Sequence, residues 1–459
     1  MSKKMGRMLD MTAGNPFKLL LRFATPLFLG NLLQQVYNVA DTAIAGHMLG
    51  DAALAQIGAT AALYSLITNL AFGMNNGLAL PVSQAFGAKD PARLKQSVAW
   101  MTLLSGAFAL VLTACSFFTR YPLLRALQPP QDVFSGAMDY LSVILIGIPL
   151  TMAYNLEAAL LQAVGNSRTP LILLLISSAL NIALDVLFLG PLHMGVGGAA
   201  IATILAQGVS AVGGLIYIGR NYPELRFGRE DLKAPRGFAG DMFATGLSMA
   251  LMISIYNIGG VILQGSINRL GNAYIAAQVA ARRLAELIYT PGSALGTAMA
   301  TYSSQNFGAG KRTRITQGLK MALLIYSVWW GIAMALTFTL GRSAVELITG
   351  SGDPVVLSAA TQYLHINIPM IPPMAVLITL RSMLQGIRHR ISPLLCSSIE
   401  MIGKIIFALW IVPVSGYVAV CVCEPITWVV CCAFICAVVF KNRRELDDRY
   451  LEAQSPSSR

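Results

Sequence analysis

Long apolar runs constrain this 459-residue chain more than any other feature of its sequence. An α-helix of about 20 apolar residues spans the hydrocarbon core of a bilayer. We find twelve runs of that length or longer, at about 17–46, 52–83, 96–118, 134–163, 170–191, 196–219, 238–268, 273–304, 316–340, 356–385, 393–413 and 417–440. The sequence therefore predicts an all-α integral membrane protein with 12 transmembrane helices.

The small number of charged residues supports this interpretation. The chain is 55% hydrophobic and only 12% charged, whereas soluble domains carry about 25% charged residues. These charges are too few to coat a soluble protein of this size. A membrane β-barrel is disfavoured as well, because the runs lack period-two alternation and exceed the roughly 9–11 residues of a barrel strand.

The distribution of Lys and Arg predicts the orientation in the membrane. With the N-terminus in the cytoplasm, 24 of the 33 basic residues fall on the cytoplasmic side and 4 on the opposite side. Such an excess favours cytoplasmic termini. It also accounts for the net charge of +12 without a nucleic-acid partner. The remaining five basic residues lie deeper inside the runs: Arg22, Arg282, Arg283, Arg381 and Lys404.

The second half of the chain repeats the first. LGDAALAQIGA around Gly50 matches LGNAYIAAQVA around Gly271, an offset of 221, and SQAFGAKDPAR matches SQNFGAGKRTR at the same offset. Tyr140 and Tyr363 match at an offset of 223, and Tyr37-Asn38 matches Tyr256-Asn257 at 219. Six helices in each half return the chain to its starting side, so the repeat is parallel.

This repeat predicts the domain organisation. We expect a cytoplasmic arm at 1–16, a six-helix lobe at 17–219 and a second at 238–440. A basic cytoplasmic linker with two prolines joins them at 220–237, and a charged cytoplasmic tail follows at 441–459. Two bundles joined in this way are typical of a transporter rather than of a channel.

One polar stripe in the first run carries an acid. Gln34, Tyr37, Asn38 and Asp41 are spaced i, i+3, i+4 and i+7, so they share one face of a helix. A carboxylate inside a membrane is costly and is a functional-site hypothesis by default. Asp41 is therefore the first candidate.

Asn181 and Asp185 share a face of the fifth run. If that face meets Asp41, the two carboxylates would bind a proton between them. With Asn181 and a hydroxyl they could instead form an oxygen cage for a small hard cation. A third interpretation is a purely structural hydrogen bond between helices.

The other acids in the runs are open to more than one interpretation. Glu157, close to Asn155, could line a substrate cavity or have a structural partner. Glu286 follows Arg282 and could pair with it locally, and Glu424 could reach the membrane interface. The full set of candidate cavity residues is Gln34, Asn38, Asn155, Glu157, Tyr256 and Asn257.

A structural ion network is expected in the second half. Glu400 and Lys404 are spaced i, i+4 in the orientation that favours an ion pair, and Arg381 could join them. Opposite charges that neutralise each other remove much of the cost of burial.

No enzyme motif is present in the sequence. The phosphate-binding pattern G-x-x-x-x-G-K-S/T is missing, which argues against ATP as the energy source. The four histidines are scattered, and the seven cysteines lack the paired spacing of zinc ligands. We therefore expect no cofactor and no enzymatic activity.

The motifs together resemble the MATE family (multidrug and toxic compound extrusion) over most of residues 15–440. The resemblance is carried by LQQVYNVADTAIAGHMLG, QAFGAKDPAR with its repeat SQNFGAGKRTR, LLQAVGNSRTP with its counterpart MLQGIRHRISP, NIALDV and GVGGAAIATILAQ. It is greatest with the bacterial, DinF-like branch.

The resemblance implies two six-helix lobes that form a V and expel substrate in exchange for H⁺ or Na⁺. By motif position it places the coupling site at Asp41, Asn181, Asp185 and Thr203, with Tyr37 nearby. The first four would ligate the metal if the coupling ion is Na⁺. Thr203 is a candidate through this resemblance alone.

Two departures from the family pattern concern the second lobe. Tyr256 stands where some relatives carry a glutamate, and Glu286 is one residue away from the usual acidic position. The second lobe also has no Asp in the stretch that repeats Tyr37-Asn38. We therefore expect the coupling to lie in the first lobe.

Two functions are consistent with these sequence features. The first is a monomeric antiporter of the bacterial plasma membrane that exports amphipathic, often cationic, organic compounds. The second is a lipid-linked oligosaccharide flippase of the same superfamily, which would need a strongly basic cavity for its pyrophosphate. Membrane lipid and small organic substrates are the expected partners, and nucleic acid is not.

Overall fold

The structure is a computed structural model that describes residues 8–350 and 353–443, and those two segments contain helices and no strand. The predicted tail beyond residue 443 and the first seven residues of the predicted arm lie outside the described residues. The α-helices are α1 Pro16–Leu49, α2 Asp51–Gly87, α3 Pro91–Ala126, α4 Gln131–Ile146, α5 Ile148–Ala163, α6 Arg168–Leu189, α7 Gly195–Asn221, α8 Phe238–Asn268, α9 Asn272–Gly308, α10 Arg312–Thr349, α11 Pro354–Asn367, α12 Ile371–Gly386, α13 Ile391–Ile406, α14 Val412–Ser415 and α15 Tyr417–Lys441.

Each predicted run coincides with one helix or with two consecutive helices. Helices α4 and α5 form the fourth run and are bent by 48° at their junction. Pro149 lies in the first turn of α5, where its missing N–H and its ring disfavour a continuous helix through Gly147. The tenth run is interrupted in a similar way by the 3₁₀ turn Ile368–Met370, which contains Pro369.

Two of the twelve runs are more polar than a typical membrane span. Within the described residues, nine helical segments are long and apolar enough to cross a membrane, and the bent pair α4–α5 makes a tenth. Helices α1, which carries Asp41, and α9, which carries Arg282, Arg283 and Glu286, are not among them. The two exceptions therefore carry candidate site residues.

The contacts divide the chain into two compact units. Unit 1 contains residues 8–10 and Leu29–Ala250, and unit 2 contains Met11–Phe28 and the described residues from Leu251 onward. In unit 1, α2 packs against α3, α4 and α5, and α6 packs against α7. In unit 2, α9 packs against α10, α11 and α12, and α15 packs against α11, α12 and α13.

In unit 2, the motif SQNFGAGKRTR binds the segment that leads into α1. The Met11 N–H donates to Gln305 Oε1 at 2.9 Å, and Asn306 Nδ2 donates to the Met11 carbonyl at 3.1 Å. Lys311 Nζ donates to the Thr12 carbonyl at 2.9 Å. The polar residues of this motif thus satisfy the backbone of an irregular segment.

In unit 1, the matching motif and the start of α3 bind two other segments. Lys89 Nζ lies 3.8 Å from Asp10 Oδ2. Gln96 Nε2 donates to the carbonyl of Lys233, in the segment that leads into α8, at 3.2 Å. The repeated motif therefore contacts the segment before α1 in both units.

Close helix contact in unit 1 depends on small residues one turn apart. A Cβ added to Gly73 would lie 2.7 Å from Ala250 Cα, and one added to Gly77 would lie 2.6 Å from Gly246 Cα. Gly73 and Gly77 on α2 thus meet Gly246 and Ala250 at the start of α8. Small residues spaced in this way allow membrane helices to approach closely.

We predict that Gly77→Ala destabilises the protein, because its methyl group would meet the α8 backbone. Overpacking of this kind costs about 1–3 kcal/mol. The melting temperature of the detergent-purified protein should fall. Gly58→Ala, in the same helix with nothing within 4 Å of the added Cβ, is the matched control and should not lower it. Equal melting temperatures for both variants would contradict the contact.

Candidate functional site: a carboxyl pair in unit 1

Three helices of unit 1 contribute the candidate coupling residues. Helix α1 carries Tyr37 and Asp41, and α6 carries Asn181 and Asp185 on one face, close to its C-terminal end. After a short turn, α7 brings Thr203 alongside α6. Asn181 and Asp185 are fully buried, whereas Tyr37, Asp41 and Thr203 are half-buried.

The Asn181 side-chain amide connects these residues. In the orientation that satisfies both of its ends, its nitrogen donates to Asp185 Oδ2 at 2.9 Å and to Tyr37 Oη at 3.0 Å. Its oxygen accepts from the Thr203 N–H at 3.1 Å. This orientation is assigned from the hydrogen-bond network. It makes Asn181 the link between α1, α6 and α7.

The carboxyl groups of Asp41 and Asp185 lie within hydrogen-bonding reach of each other. Two ionised carboxylates cannot bond in this way, since neither has a hydrogen to donate. The pair therefore needs one proton, or a cation bound between its oxygens. No basic residue forms an ion pair with either acid in the described part of the chain.

The chemistry of the donors fits either ion. Two carboxylates, an amide oxygen and the Thr203 hydroxyl are the hard oxygen ligands that a small alkali or alkaline-earth cation prefers. Within residues 8–350 and 353–443, no group of three or more His, Cys, Asp or Glu side chains could hold a metal ion. A Na⁺ ion at this site would thus depend on Asn181 and Thr203 as well as on the two acids.

Two tyrosines near the pair were not among the sequence candidates. Tyr64 on α2 interacts electrostatically with Asp41, and Tyr140 on α4 interacts with Asp41 and Asp185. Tyr140 had one signal in the sequence, its match with Tyr363 in the repeat. Tyr64 had none that distinguishes it from the other tyrosines.

The cavity candidates of unit 1 are in different environments. Gln34 Nε2 donates to Asn38 Oδ1 at 3.1 Å on an exposed part of α1, and Asn155 is half-buried. Glu157 is only 1% exposed, and its carboxyl lies against Gly214 on α7. This is not the position of a cavity-lining residue, because α5 turns Glu157 towards the neighbouring helices.

The cavity candidates and the ion network of the second half lie in unit 2. Lys404 Nζ lies 3.6 Å from Glu400 Oε1 and 4.0 Å from the centre of the Tyr256 ring. Asn257, beside Tyr256 on α8, is half-buried. Among the described residues Arg381 forms no ion pair with Glu400, and it interacts electrostatically with Cys396 and Cys431.

Glu424 is the centre of a second ion pair in unit 2. It is 4% exposed, accepts from the Tyr363 hydroxyl at 2.8 Å and lies 3.4 Å from Arg282 Nη1. Its expected place at the membrane interface is therefore incorrect, because α15 directs it inward onto α9 and α11. Glu286 pairs locally with Arg282 at 3.9 Å, as the sequence spacing suggested.

The repeat relates these two clusters. Tyr37 matches Tyr256, and Tyr140 matches Tyr363. Thr203 matches Glu424, since 424 − 203 is the offset of 221 that relates the two glycine motifs. In unit 2, however, Arg282 and Lys404 supply the positive charges that unit 1 lacks at the corresponding place.

We predict that Glu424→Gln destabilises the protein strongly, because it leaves Arg282 without its buried partner. Breaking a buried pair costs about 3 kcal/mol at the low end of the usual range. Glu286 is the other partner of Arg282, and the Glu286 side chain is 47% exposed. Glu286→Gln should therefore lower the free energy of unfolding by only about 0–1 kcal/mol. Thermal unfolding of both purified variants checks this difference. Equal losses of stability would show that the buried contact with Glu424 stabilises the protein no more than the exposed contact with Glu286.

Comparisons with known proteins agree with the fold. A crystal structure of MATE in the bent conformation has a TM-score of 0.89 and 19% identity, over 99% of this chain and 100% of that one. An outward-facing multidrug resistance MATE family transporter of the MOP superfamily has a TM-score of 0.87 and 21% identity, over 97% and 98% of the two chains. The predicted all-α membrane fold is confirmed.

The sequence comparisons identify the family. YpnP of Bacillus subtilis (strain 168), described as a probable multidrug resistance protein, is 28% identical over 351 residues, 75% of this chain and 77% of that protein. The multidrug export protein MepA of Staphylococcus haemolyticus (strain JCSC1435) is 23% identical over 354 residues, 76% and 77% of the two chains. The MatE family model matches residues 26–187 and 248–410. The chain is a multi-pass membrane protein that belongs to the MatE family.

Proposed function

We propose that this protein is a secondary active antiporter that exports amphipathic, often cationic, organic compounds in exchange for H⁺ or Na⁺. The observation that carries the proposal is the Asp41–Asp185 carboxyl pair, which has no basic partner among the described residues. The relatives described as multidrug export and resistance proteins support the class of substrate.

The pair couples cation entry to substrate export because the cation and the substrate bind to different conformational states of the protein. With the cation bound, Asp41 and Asp185 approach each other and Asn181 connects α1, α6 and α7. Without it, two adjacent negative charges repel and favour a different arrangement of these helices. By linkage, a cation that stabilises one state weakens binding of a substrate that prefers the other.

H⁺ is the coupling ion that we favour. A single proton satisfies the contact between the two carboxyl groups and leaves Asn181 free to bond Tyr37 and Asp185. Na⁺ would need the same oxygens to open into a larger coordination shell at about 2.3–2.6 Å, the spacing typical of oxygen ligands around a cation of similar size. Ethidium transport by the wild-type protein, measured under a pH gradient alone and under a Na⁺ gradient alone, distinguishes the two ions.

The flippase alternative is weakened by the ion pairs of unit 2. A lipid-linked pyrophosphate needs unpaired cationic side chains, as phosphate is bound most strongly by Arg and Lys. Of the five basic residues deeper inside the runs, Arg282 and Lys404 are paired with Glu424 and Glu400, so fewer cationic side chains are available to bind a phosphate. We therefore assign small organic compounds rather than lipid-linked sugars as substrates.

The remaining parts of the proposal concern location and assembly. We place the protein in the bacterial plasma membrane with both termini in the cytoplasm, on the basis of its distribution of Lys and Arg. We place the transport function in a monomer with two lobes, at about 17–219 and 238–440, that move relative to each other around the linker at 220–237.

We predict that Asp41→Asn abolishes efflux, because the amide can neither share the proton nor carry the charge of a carboxylate. Ethidium efflux from proteoliposomes under an imposed pH or Na⁺ gradient should fall to the leak rate of protein-free liposomes. Asp51→Asn, which removes an exposed acid at the start of α2, is the matched control and should transport normally. Efflux by Asp41→Asn at the wild-type rate would refute the coupling role.

A further inference from the structure

Glu157 is a buried acid of unit 1 without a partner. It lies on α5, is 1% exposed, and neither carboxyl oxygen has a hydrogen-bond partner. A Cβ at position 214 would overlap Glu157 Oε2 and would lie 3.2 Å from Leu173 Cδ1, so Gly214 provides the space that the carboxyl occupies. An ionised carboxylate in such a place is costly, so a proton bound there is held by the burial of the group.

The surroundings of Glu157 supply no charge to balance it. Tyr154, on the same helix, is the ionisable residue that interacts with it electrostatically in the described part of the chain. None of the charged residues on the packed helices forms an ion pair with it there. Those residues are Asp51 on α2, Arg93, Lys95, Arg120 and Arg125 on α3, Asp132 and Asp139 on α4, Arg168 and Asp185 on α6, and Arg220 on α7.

A row of three polar residues and one glycine on α7 extends from the Asp41–Asp185 pair to Glu157. Thr203, Gln207, Ser210 and Gly214 are spaced i, i+4, i+7 and i+11, so they follow one face of the helix. Thr203 lies at the Asn181 amide, and Gln207 Oε1 accepts from Thr151 Oγ1 on α5 at 2.6 Å. The Ser210 hydroxyl is buried and has no partner, like the Glu157 carboxyl.

The spacing of this row suits the transfer of a proton. Neighbouring residues of the row are one helical turn or less apart, about 5–6 Å, a gap that one water molecule can bridge. From Thr203 to Gly214 the row is about 17 Å long at 1.5 Å per residue. Gly214 lies near the C-terminal end of α7, whereas Thr203 lies near its start. The predicted topology places that end of α7, and Glu157 with it, on the cytoplasmic side.

We propose that Glu157 is a second, inner proton-binding site, which receives protons from the Asp41–Asp185 pair along this row and releases them to the cytoplasm. The inference rests on the proposed antiport function with H⁺ as the coupling ion. In the transfer, the pair loses one proton and becomes fully ionised, and the Glu157 carboxylate gains it and becomes neutral. Glu157 then gives the proton to water at the inner end of α7.

The test compares two modes of ethidium transport in proteoliposomes. Accumulation driven by a pH gradient needs net proton movement, whereas ethidium–ethidium counterflow without a gradient does not. Glu157→Gln should slow the driven mode by at least about a hundredfold, the usual contribution of a positioned acid–base group. It should retain counterflow and the wild-type melting temperature. Glu157→Asp should restore part of the driven rate with a shifted pH profile, and Glu230→Gln in the exposed linker is the control.

A second pair of variants tests the position of the carboxyl. Gly214→Ala should displace Glu157 and lower the driven rate, while Gly213→Ala, with nothing within 4 Å of its added Cβ, should not. A wild-type driven rate in Glu157→Gln across the pH range would overturn the inference. So would an equal loss of both transport modes together with a lower melting temperature, which indicates a structural role.

Failure of the proposed function would look different from failure of this inference. If wild-type protein accumulates no ethidium under either gradient, the antiport function itself fails, and the inner site fails with it. If wild-type responds to a Na⁺ gradient alone, antiport stands and the inner proton site is overturned. If Asp41→Asn is inactive and Glu157→Gln is normal, the coupling pair stands and Glu157 has no part in it.

Discussion

The cost of a carboxylate in a membrane is the constraint on which the rest of this structure depends. Asp41, Asp185 and Glu157 all lie in membrane helices, and none has a basic partner among the described residues. Each carboxylate must be neutralised by something that comes from outside the chain, a proton or a cation. In the proposed mechanism this requirement makes the helix arrangement of unit 1 sensitive to ion binding, which is the property that an antiporter needs.

In unit 2, the buried carboxylates are neutralised by basic residues of the same unit. Its cluster uses tyrosines at the repeat positions of Tyr37 and Tyr140, yet Arg282 and Lys404 neutralise Glu424 and Glu400 permanently. An arginine or lysine held by the fold cannot exchange with the solvent as a proton or Na⁺ does. In the proposed mechanism the two related clusters therefore have different consequences: the first responds to ions, and the second stabilises unit 2 whatever the ion gradient. This difference is the physical basis of our proposal that coupling lies in unit 1 only.

Helical spacing predicted the features that depend on one helix at a time. The runs, the stripe that contains Asp41, the Asn181–Asp185 face and the Glu400–Lys404 spacing all follow from local periodicity. Contacts between distant segments could not be predicted in this way. Glu424 and Arg282 are 142 residues apart, Tyr64 has no local signal, and the direction of Glu157 depends on the rotation of α5 against Gly214. Thr203 was found only through family resemblance, since one threonine in an apolar helix has no distinctive pattern.

The most direct test of the central claim is infrared titration of the purified protein, which detects neutral carboxyl groups without any substrate. In a Glu157→Gln background, which removes the other unpaired acid, the account predicts a neutral-carboxyl band near neutral pH. Both Asp41→Asn and Asp185→Asn should shift the pH at which the band disappears, because each change removes the carboxylate with which the remaining acid shares the proton. It should also weaken on addition of Na⁺ if that ion competes for the same oxygens. A band that disappears at the same pH with and without these two changes, or no band at all, would contradict the account.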